Sequence, residues 1–159
     1  MNEPGGVRSA MNIWVDADAC PRLIRDVIFN ASRRLQVPVR LVANSGLAVP
    51  RSPLISQVQV GGAIDAADRH IVEQCAVGDL VVTADLPLAA AAVDKGAVVI
   101  TPSGTVYTAG NVQEALASRN LLAELRESGI MEGGAAPFGT RERTRFANAL
   151  DRELTRLRR

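Results

Sequence analysis

The chain has 159 residues and a formal net charge of +1, and 47% of its residues are hydrophobic. This length and apolar content suit one domain with one core, and the near-zero net charge excludes a global electrostatic attraction to nucleic acid. No apolar run approaches the ~20 residues of a membrane-spanning helix, and residues 1–10 lack the hydrophobic core of a signal peptide, so we expect a cytoplasmic protein with no membrane partner.

Short Val/Ile-rich runs alternate with longer helical patterns, which is typical of βαβ units and a mainly parallel sheet. Residues 1–11 are predicted to form a flexible N-terminal extension, and residues 12–159 a single domain. Strands are predicted at residues 13–16, 39–43, 56–60, 79–83 and 97–101, and helices at 21–35, 64–76, 86–94, 111–128 and 140–159. Residues 102–110 are predicted to be turns. The predicted fold class is α/β, a three-layer Rossmann-like fold with a mainly parallel five-stranded sheet flanked by helices.

Asp16 and Asp18 follow the first apolar strand directly. Two ionised carboxylates one residue apart repel each other and disfavour strand geometry. A divalent cation would turn that repulsion into coordination, because Mg²⁺ and Mn²⁺ take oxygen ligands. The sequence therefore predicts a Mg²⁺ or Mn²⁺ site at the end of the first strand.

Polar side chains follow most of the other predicted strands, and in parallel sheets the ligand crevice lies beyond the carboxyl ends of the strands. The third strand leads into a helix that carries Asp65 and Asp68 on one face, and Asp85 follows the fourth strand. We therefore expect five carboxylates to converge on one catalytic and metal-binding pocket: Asp16, Asp18, Asp65, Asp68 and Asp85. Structural roles at helix N-termini are the alternative to metal binding, since Asp65 and Asp68 suit the first turn of a helix and Asp85 suits an N-cap.

Three other polar residues at this edge, Asn44, Ser45 and Thr83, are candidates for binding a substrate phosphate, with capping and turn roles as the alternative. Asp79 and Asp94 lie at the opposite ends of their elements and are predicted to be solvated charges. Cys20 and Cys75 have no metal-ligand spacing and are predicted to be buried thiols.

Carboxylates around one or two divalent cations suit phosphodiester hydrolysis, because the metal activates water and offsets charge on the phosphate. The predicted C-terminal helix adds positive charge that suits a phosphate backbone, with Arg141 and Arg143 as candidate phosphate ligands. Its further arginines are Arg145, Arg152, Arg156, Arg158 and Arg159. A solvated amphipathic helix that covers the sheet is the competing interpretation. With one tryptophan and one tyrosine, the chain has no aromatic platform for stacked bases.

The sequence resembles the YaiI/YqxD family of bacterial proteins from Met11 onward. The likeness rests on residues 14–21 (WVDADACP), 65–68 (DAAD), 79–89 (DLVVTADLPLA) and Pro137-Phe138, followed by Arg141, Arg143, Phe146 and Leu150. The chain departs from the expected pattern at Ala135-Ala136 and at Glu142. Those differences concern the C-terminal segment and leave the acidic residues intact.

That family is in turn similar to PIN-like nucleases, which hold metal with an acid after the first strand, acids on a central helix and an acid in a Thr-x-Asp turn. PIN-like nucleases cleave RNA. The resemblance implies a PIN-like fold and metal-binding roles for Asp16, for one or both of Asp65 and Asp68, and for Asp85, but it supplies no substrate for this family. Asp18 is an additional acid at the same edge.

Two other functions remain open from the sequence. Asp16-x-Asp18 also fits the nucleophile and acid/base pair of a haloacid-dehalogenase-type phosphatase, with Ser45 after the second strand. That chemistry needs a lysine at the phosphate, and Lys95, the only lysine, lies at the wrong end of its helix. A non-catalytic RNA- or protein-binding module is the third possibility.

Overall fold

The computed structural model describes residues 11–127 and 139–158. The predicted extension at residues 1–11 lies outside this range except for Met11, and so does Arg159. The strands β1 to β6 span Ile13–Asp16, Val39–Ala43, Ile55–Gln59, Leu80–Val82, Val98–Ile100 and Val106–Tyr107. The helices α1 to α5 span Arg22–Leu35, Ala66–Gln74, Leu86–Asp94, Val112–Glu127 and Thr140–Leu157.

The six strands form one sheet in the order β3-β2-β1-β4-β5-β6. All neighbouring strands are parallel except β5 and β6, which pair antiparallel. The predicted α/β class with a mainly parallel sheet is confirmed. A sixth strand extends the five predicted ones, and it escaped prediction because it is only two residues long and lies among turn residues.

The sheet carries a separate hydrophobic core on each face, because successive side chains of a strand point to opposite sides. Ile13 and Val15 of β1 pack on the face covered by α1 and α5. Trp14 packs on the other face, together with residues of α2, α3 and α4. The result is the expected three-layer arrangement of helices, sheet and helices.

The chain builds β2 and β3 on one side of β1, then crosses to build β4, β5 and β6 on the other side. The point at which the strand order reverses lies between β1 and β4. Ligand crevices of open parallel sheets form at such a switch point, outside the carboxyl ends of the strands. The topology therefore puts the end of β1, with Asp16, at the expected position of a site.

No helix in residues 11–127 and 139–158 is long and apolar enough to cross a membrane.

Candidate active site

Asp16 is the central residue of the site, and only 8% of it is exposed. The Thr83 hydroxyl, from the turn after β4, donates a hydrogen bond to Asp16 Oδ2 at 2.9 Å. The Asp85 backbone N–H donates in turn to Thr83 Oγ1 at 3.0 Å. Thr83 therefore joins the two strands at the switch point and fixes the orientation of the Asp16 carboxylate.

Burial raises the pKa of Asp16, and the charges of Asp85 and Asp18 raise it further, while the hydrogen bond from Thr83 lowers it. A nearby cation would stabilise this buried carboxylate, because a positive charge favours its ionised form.

Asp68, in the first turn of α2, lies beside the same group. The pKa of Asp68 is raised to about 6, chiefly by burial and further by the charges of Asp85, Asp16 and Asp65 and by a hydrogen bond with the Asp85 carboxyl. Asp85 is also the N-cap of α3, since its Oδ1 accepts a hydrogen bond from the Leu88 N–H at 3.0 Å. The capping role predicted as an alternative for Asp85 is thus correct, and it leaves the side chain next to Asp68.

Asp18 and Asp65 lie at the margins of the site. The short 3₁₀ turn Ala17–Ala19 follows β1, and Asp18 Oδ2 accepts a hydrogen bond from the Asn44 N–H at 2.8 Å. Asp65 makes no side-chain cap hydrogen bond and instead pairs with Arg69 at 3.5 Å, with both side chains largely exposed. The structure therefore brings Asp16, Asp68 and Asp85 together, with these two carboxylates beside them.

The other predicted phosphate ligands occupy three different places. Asn44 and Ser45 are exposed after β2, and Ser45 accepts a hydrogen bond from Gln57 through its backbone carbonyl. Thr83 is buried, and its hydroxyl is engaged with Asp16 and Asp85. Arg141 and Arg143 are exposed in the first turn of α5, on the opposite face of the sheet from α2 and α3.

Gly104 shows how close the start of α5 comes to the carboxyl edge of the sheet. This glycine, in the turn after β5, has φ +96°, and a Cβ there would lie 2.8 Å from the backbone of Arg145. The neighbouring strand is tied in as well, because the Thr83 N–H donates to the Ile100 carbonyl at 3.3 Å. The first arginines of α5 thus lie at the edge that carries the acidic site.

The second half of α5 points away from the site. Arg34, at the end of α1, pairs with Asp151 at 2.6 Å, so this part of α5 lies near the amino edge of the sheet. Here Arg152 and Arg156 both pair with Glu153. The arginine-rich segment is therefore divided between the two edges, and only its first part adjoins the carboxylates.

The prediction that Asp79 is a solvated charge is wrong. Asp79 is fully buried and accepts hydrogen bonds from the Asn12 and Ala76 N–H groups and from Trp14 Nε1, at 2.9 to 3.0 Å. A buried carboxylate is tolerated when several donors compensate its lost hydration. Asp94 is exposed, as predicted.

The two cysteines, the histidine His70 and the lysine Lys95 all make structural contacts. Both cysteines are buried, as predicted, and burial raises the pKa of Cys20 to about 12, so its thiol stays protonated at neutral pH. His70 packs edge-on against Trp14, with ring centres 6.1 Å apart. Lys95 Nζ donates to the Val72 and Glu73 carbonyls at the end of α2.

The donor set meets the requirements of one class of metal. No three His, Cys, Asp or Glu side chains within residues 11–127 and 139–158 are grouped closely enough to form a ready-made metal centre. Mg²⁺ needs less, because proteins usually hold it with one or two carboxylates, and water and substrate phosphate complete the coordination. Asp68 and Asp85, whose carboxyl groups are hydrogen-bonded to each other, fit that requirement by their chemistry, and Asp16 lies near enough to act on the charge of Asp68.

A groove between α2 and α3, which was not predicted from the sequence, opens beside Asp68. It has a volume of about 420 Å³, and Val72, Leu88 and Ala91 are among the residues that line it. Helical spacing contained the signal, because Val72 follows Asp68 by four positions and Ala91 follows Leu88 by three.

Fold and site together define an α/β protein with an acidic site at the switch point of a mainly parallel sheet. The chain belongs to the YaiI/YqxD family: the family model described as "Uncharacterized BCR, YaiI/YqxD family" matches residues 14–156. It is 54% identical over 147 residues to a UPF0178 protein of Myxococcus xanthus, covering 92% of this chain and 96% of the relative. UPF0178 proteins of Citrifermentans bemidjiense and Trichlorobacter lovleyi are 52% and 53% identical, with the same coverage. No solved structure matches the chain.

Proposed function

We propose that the protein is a divalent-metal-dependent nuclease that hydrolyses phosphodiester bonds in RNA. The observation that carries the proposal is the meeting of Asp16, Asp68 and Asp85 from three separate segments at the switch point of the sheet. Ionised carboxylates that lie this close repel one another, and a cation that they share would offset that cost.

Asp16, Asp68 and Asp85 are the residues expected to hold Mg²⁺ or Mn²⁺. When bound, such an ion lowers the pKa of water and offsets negative charge on the phosphate. Thr83 keeps Asp16 in one orientation through its hydroxyl, and the Asp85 N–H keeps Thr83 in place. The first arginines of α5, Arg141 and Arg143, are expected to bind phosphates of the substrate chain at the same edge.

The position of Lys95 favours the nuclease over a haloacid-dehalogenase-type phosphatase. In that chemistry a lysine contacts the phosphate that the first aspartate attacks, but here Lys95 is engaged with the last carbonyls of α2. In a phosphatase, Asp18 would have to serve as the general acid/base while Asp16 acts as the nucleophile. Here Asp18 accepts a hydrogen bond from the Asn44 N–H at the margin of the site.

The test is cleavage of a mixed panel of RNA and DNA oligonucleotides with Mn²⁺ or Mg²⁺, beside hydrolysis of an aryl phosphate. We expect Asp16→Asn and Asp85→Asn to lower the RNA cleavage rate by roughly a hundredfold or more, as loss of a catalytic carboxylate commonly does. Asp94→Asn is the matched control, because Asp94 is an exposed aspartate away from the site.

Each alternative has its own result. Monoester hydrolysis with a phosphorylated Asp16 would replace the nuclease by the phosphatase. RNA binding without cleavage at any metal concentration, with no metal binding in a titration, would indicate a non-catalytic binding module.

Thr83 offers a second variant that separates positioning from folding. Thr83→Val keeps the shape of the side chain but removes the hydrogen bond that lowers the pKa of Asp16. We expect the acid limb of the pH profile of cleavage to move to higher pH, and Thr83→Ser to restore it. An unchanged profile in Thr83→Val would contradict the positioning role.

A further inference from the structure

The groove between α2 and α3 shares Asp68 with the acidic site and continues away from it along both helices. Val72 on α2 and Leu88 and Ala91 on α3 give it apolar walls, and Arg69 and Glu73 line it from α2. Its volume of about 420 Å³ falls in the usual range of small-molecule sites, which are mostly apolar with a few polar groups.

The charges that line the groove are mainly negative. Asp65, Asp68 and Glu73 outnumber Arg69, which pairs with Asp65. A phosphate group is repelled by such a lining, so the groove does not suit the backbone of a nucleic acid. A flat group that has no negative charge and carries hydrogen-bond donors on its edge is compatible with it, and apolar walls fit the faces of a ring.

Arg69 and Glu73 narrow the choice of ring. They are four residues apart on α2 and therefore neighbours on one face of the helix. A guanidinium donates to the O6 and N7 acceptors of guanine, and a carboxylate accepts from N–H donors such as the guanine 2-amino group. Guanine has both the O6 and N7 acceptors and the amino donor, whereas uracil lacks an amino group.

We propose that this groove binds a guanine base of single-stranded RNA next to the phosphate that is cleaved. The proposal rests on the proposed function for the identity of the polymer. Base binding itself requires neither cleavage nor metal. The substrate preference that follows from the proposal is cleavage of RNA strands beside guanine.

The experiment is a titration of the full chain with guanosine and, separately, with uridine, without divalent metal, followed by amide NMR. We expect guanosine to shift the signals of Val72, Leu88 and Ala91 and to bind about tenfold more tightly than uridine, the discrimination typical of one good bidentate contact. Glu73→Gln should remove most of this preference, while Glu114→Gln, an exposed glutamate on α4, should keep it.

A second variant fills the groove. Ala91→Phe should abolish guanosine binding, whereas Ala117→Phe, at an exposed position of α4, should leave it unchanged. Equal binding of both nucleosides, no shift at the groove residues, or self-association of the chain through this surface would overturn the proposal. Guanosine binding together with a negative cleavage assay would retain the groove and reject the nuclease.

Discussion

The structural role of Asp79 could not be predicted from the sequence. Its position before β4 suggests a surface charge, yet the groups that donate to it include Asn12 and Trp14, which lie 67 and 65 positions earlier. A short-range pattern cannot show such a partnership, because it arises only when β1 and β4 pair. Asp79 therefore binds the starts of two neighbouring strands to the end of α2.

We expect Asp79→Ala to lower the free energy of unfolding by about 3 kcal/mol, because it leaves buried N–H donors unsatisfied. Urea denaturation followed by circular dichroism measures the effect. Asp94→Ala, an exposed aspartate at the end of α3, should change stability by less than about 0.5 kcal/mol. Equal effects of the two substitutions would refute the structural role of Asp79.

The helices and strands show which parts of the fold local patterns can predict. β1 to β5 and α1 to α5 follow from apolar periodicity, Pro87 in the first turn of α3 and Gly96 after its end. The place of α5 is not readable in this way, because Phe146, Leu150 and Leu154 indicate only that one face is buried. The surface that this face contacts depends on a close approach at the turn after β5.

Gly104 controls that close approach. Gly104→Ala should destabilise the fold by about 1 to 3 kcal/mol, because the backbone has positive φ and the added Cβ would meet the backbone of Arg145. Gly62→Ala is the control, since a Cβ at Gly62 meets nothing within 4 Å. Thermal unfolding measures both variants, and a stable Gly104→Ala protein would contradict the tight contact between α5 and this turn.

For the whole molecule, the candidate site was more predictable than its detailed chemistry. Because the carboxyl ends of parallel strands meet at one edge, the sequence predicts that Asp16, Asp68 and Asp85 lie close together, and they do so in the structure. It cannot show that Asp65 turns toward Arg69, or that Asn44 offers its backbone N–H to Asp18. Those outcomes depend on side-chain rotamers and on loop geometry of a few ångströms.

The acidic site also gives the whole molecule a pH-dependent stability. The pKa of Asp68 is about 6 in the folded chain, above the ~3.9 of an unfolded aspartate. The folded state therefore binds this proton more tightly, and the resulting stability is complete below about pH 4 and lost as the pH rises through about 6.

We expect Asp68→Asn to flatten the fall in unfolding free energy between about pH 4 and pH 7, as measured by urea denaturation at several pH values. Part of the slope should remain, because the pKa of Asp16 is raised as well. Asp94→Asn should keep the full slope. A slope that Asp68→Asn leaves unchanged would show that Asp68 does not carry this proton.

The central position of β1 has a consequence for folding. One edge of β1 pairs with β2 nearby in sequence, but the other waits for β4, whose Leu80 pairs with Ile13 across 67 positions. Until then Ile13, Trp14 and Val15 form an apolar strand with an open edge, the kind of segment that starts aggregation. Asp16 ends that segment with a negative charge, and a charge next to an exposed apolar strand discourages association between chains. We therefore expect the charge of Asp16 to limit association between chains before β4 pairs with β1.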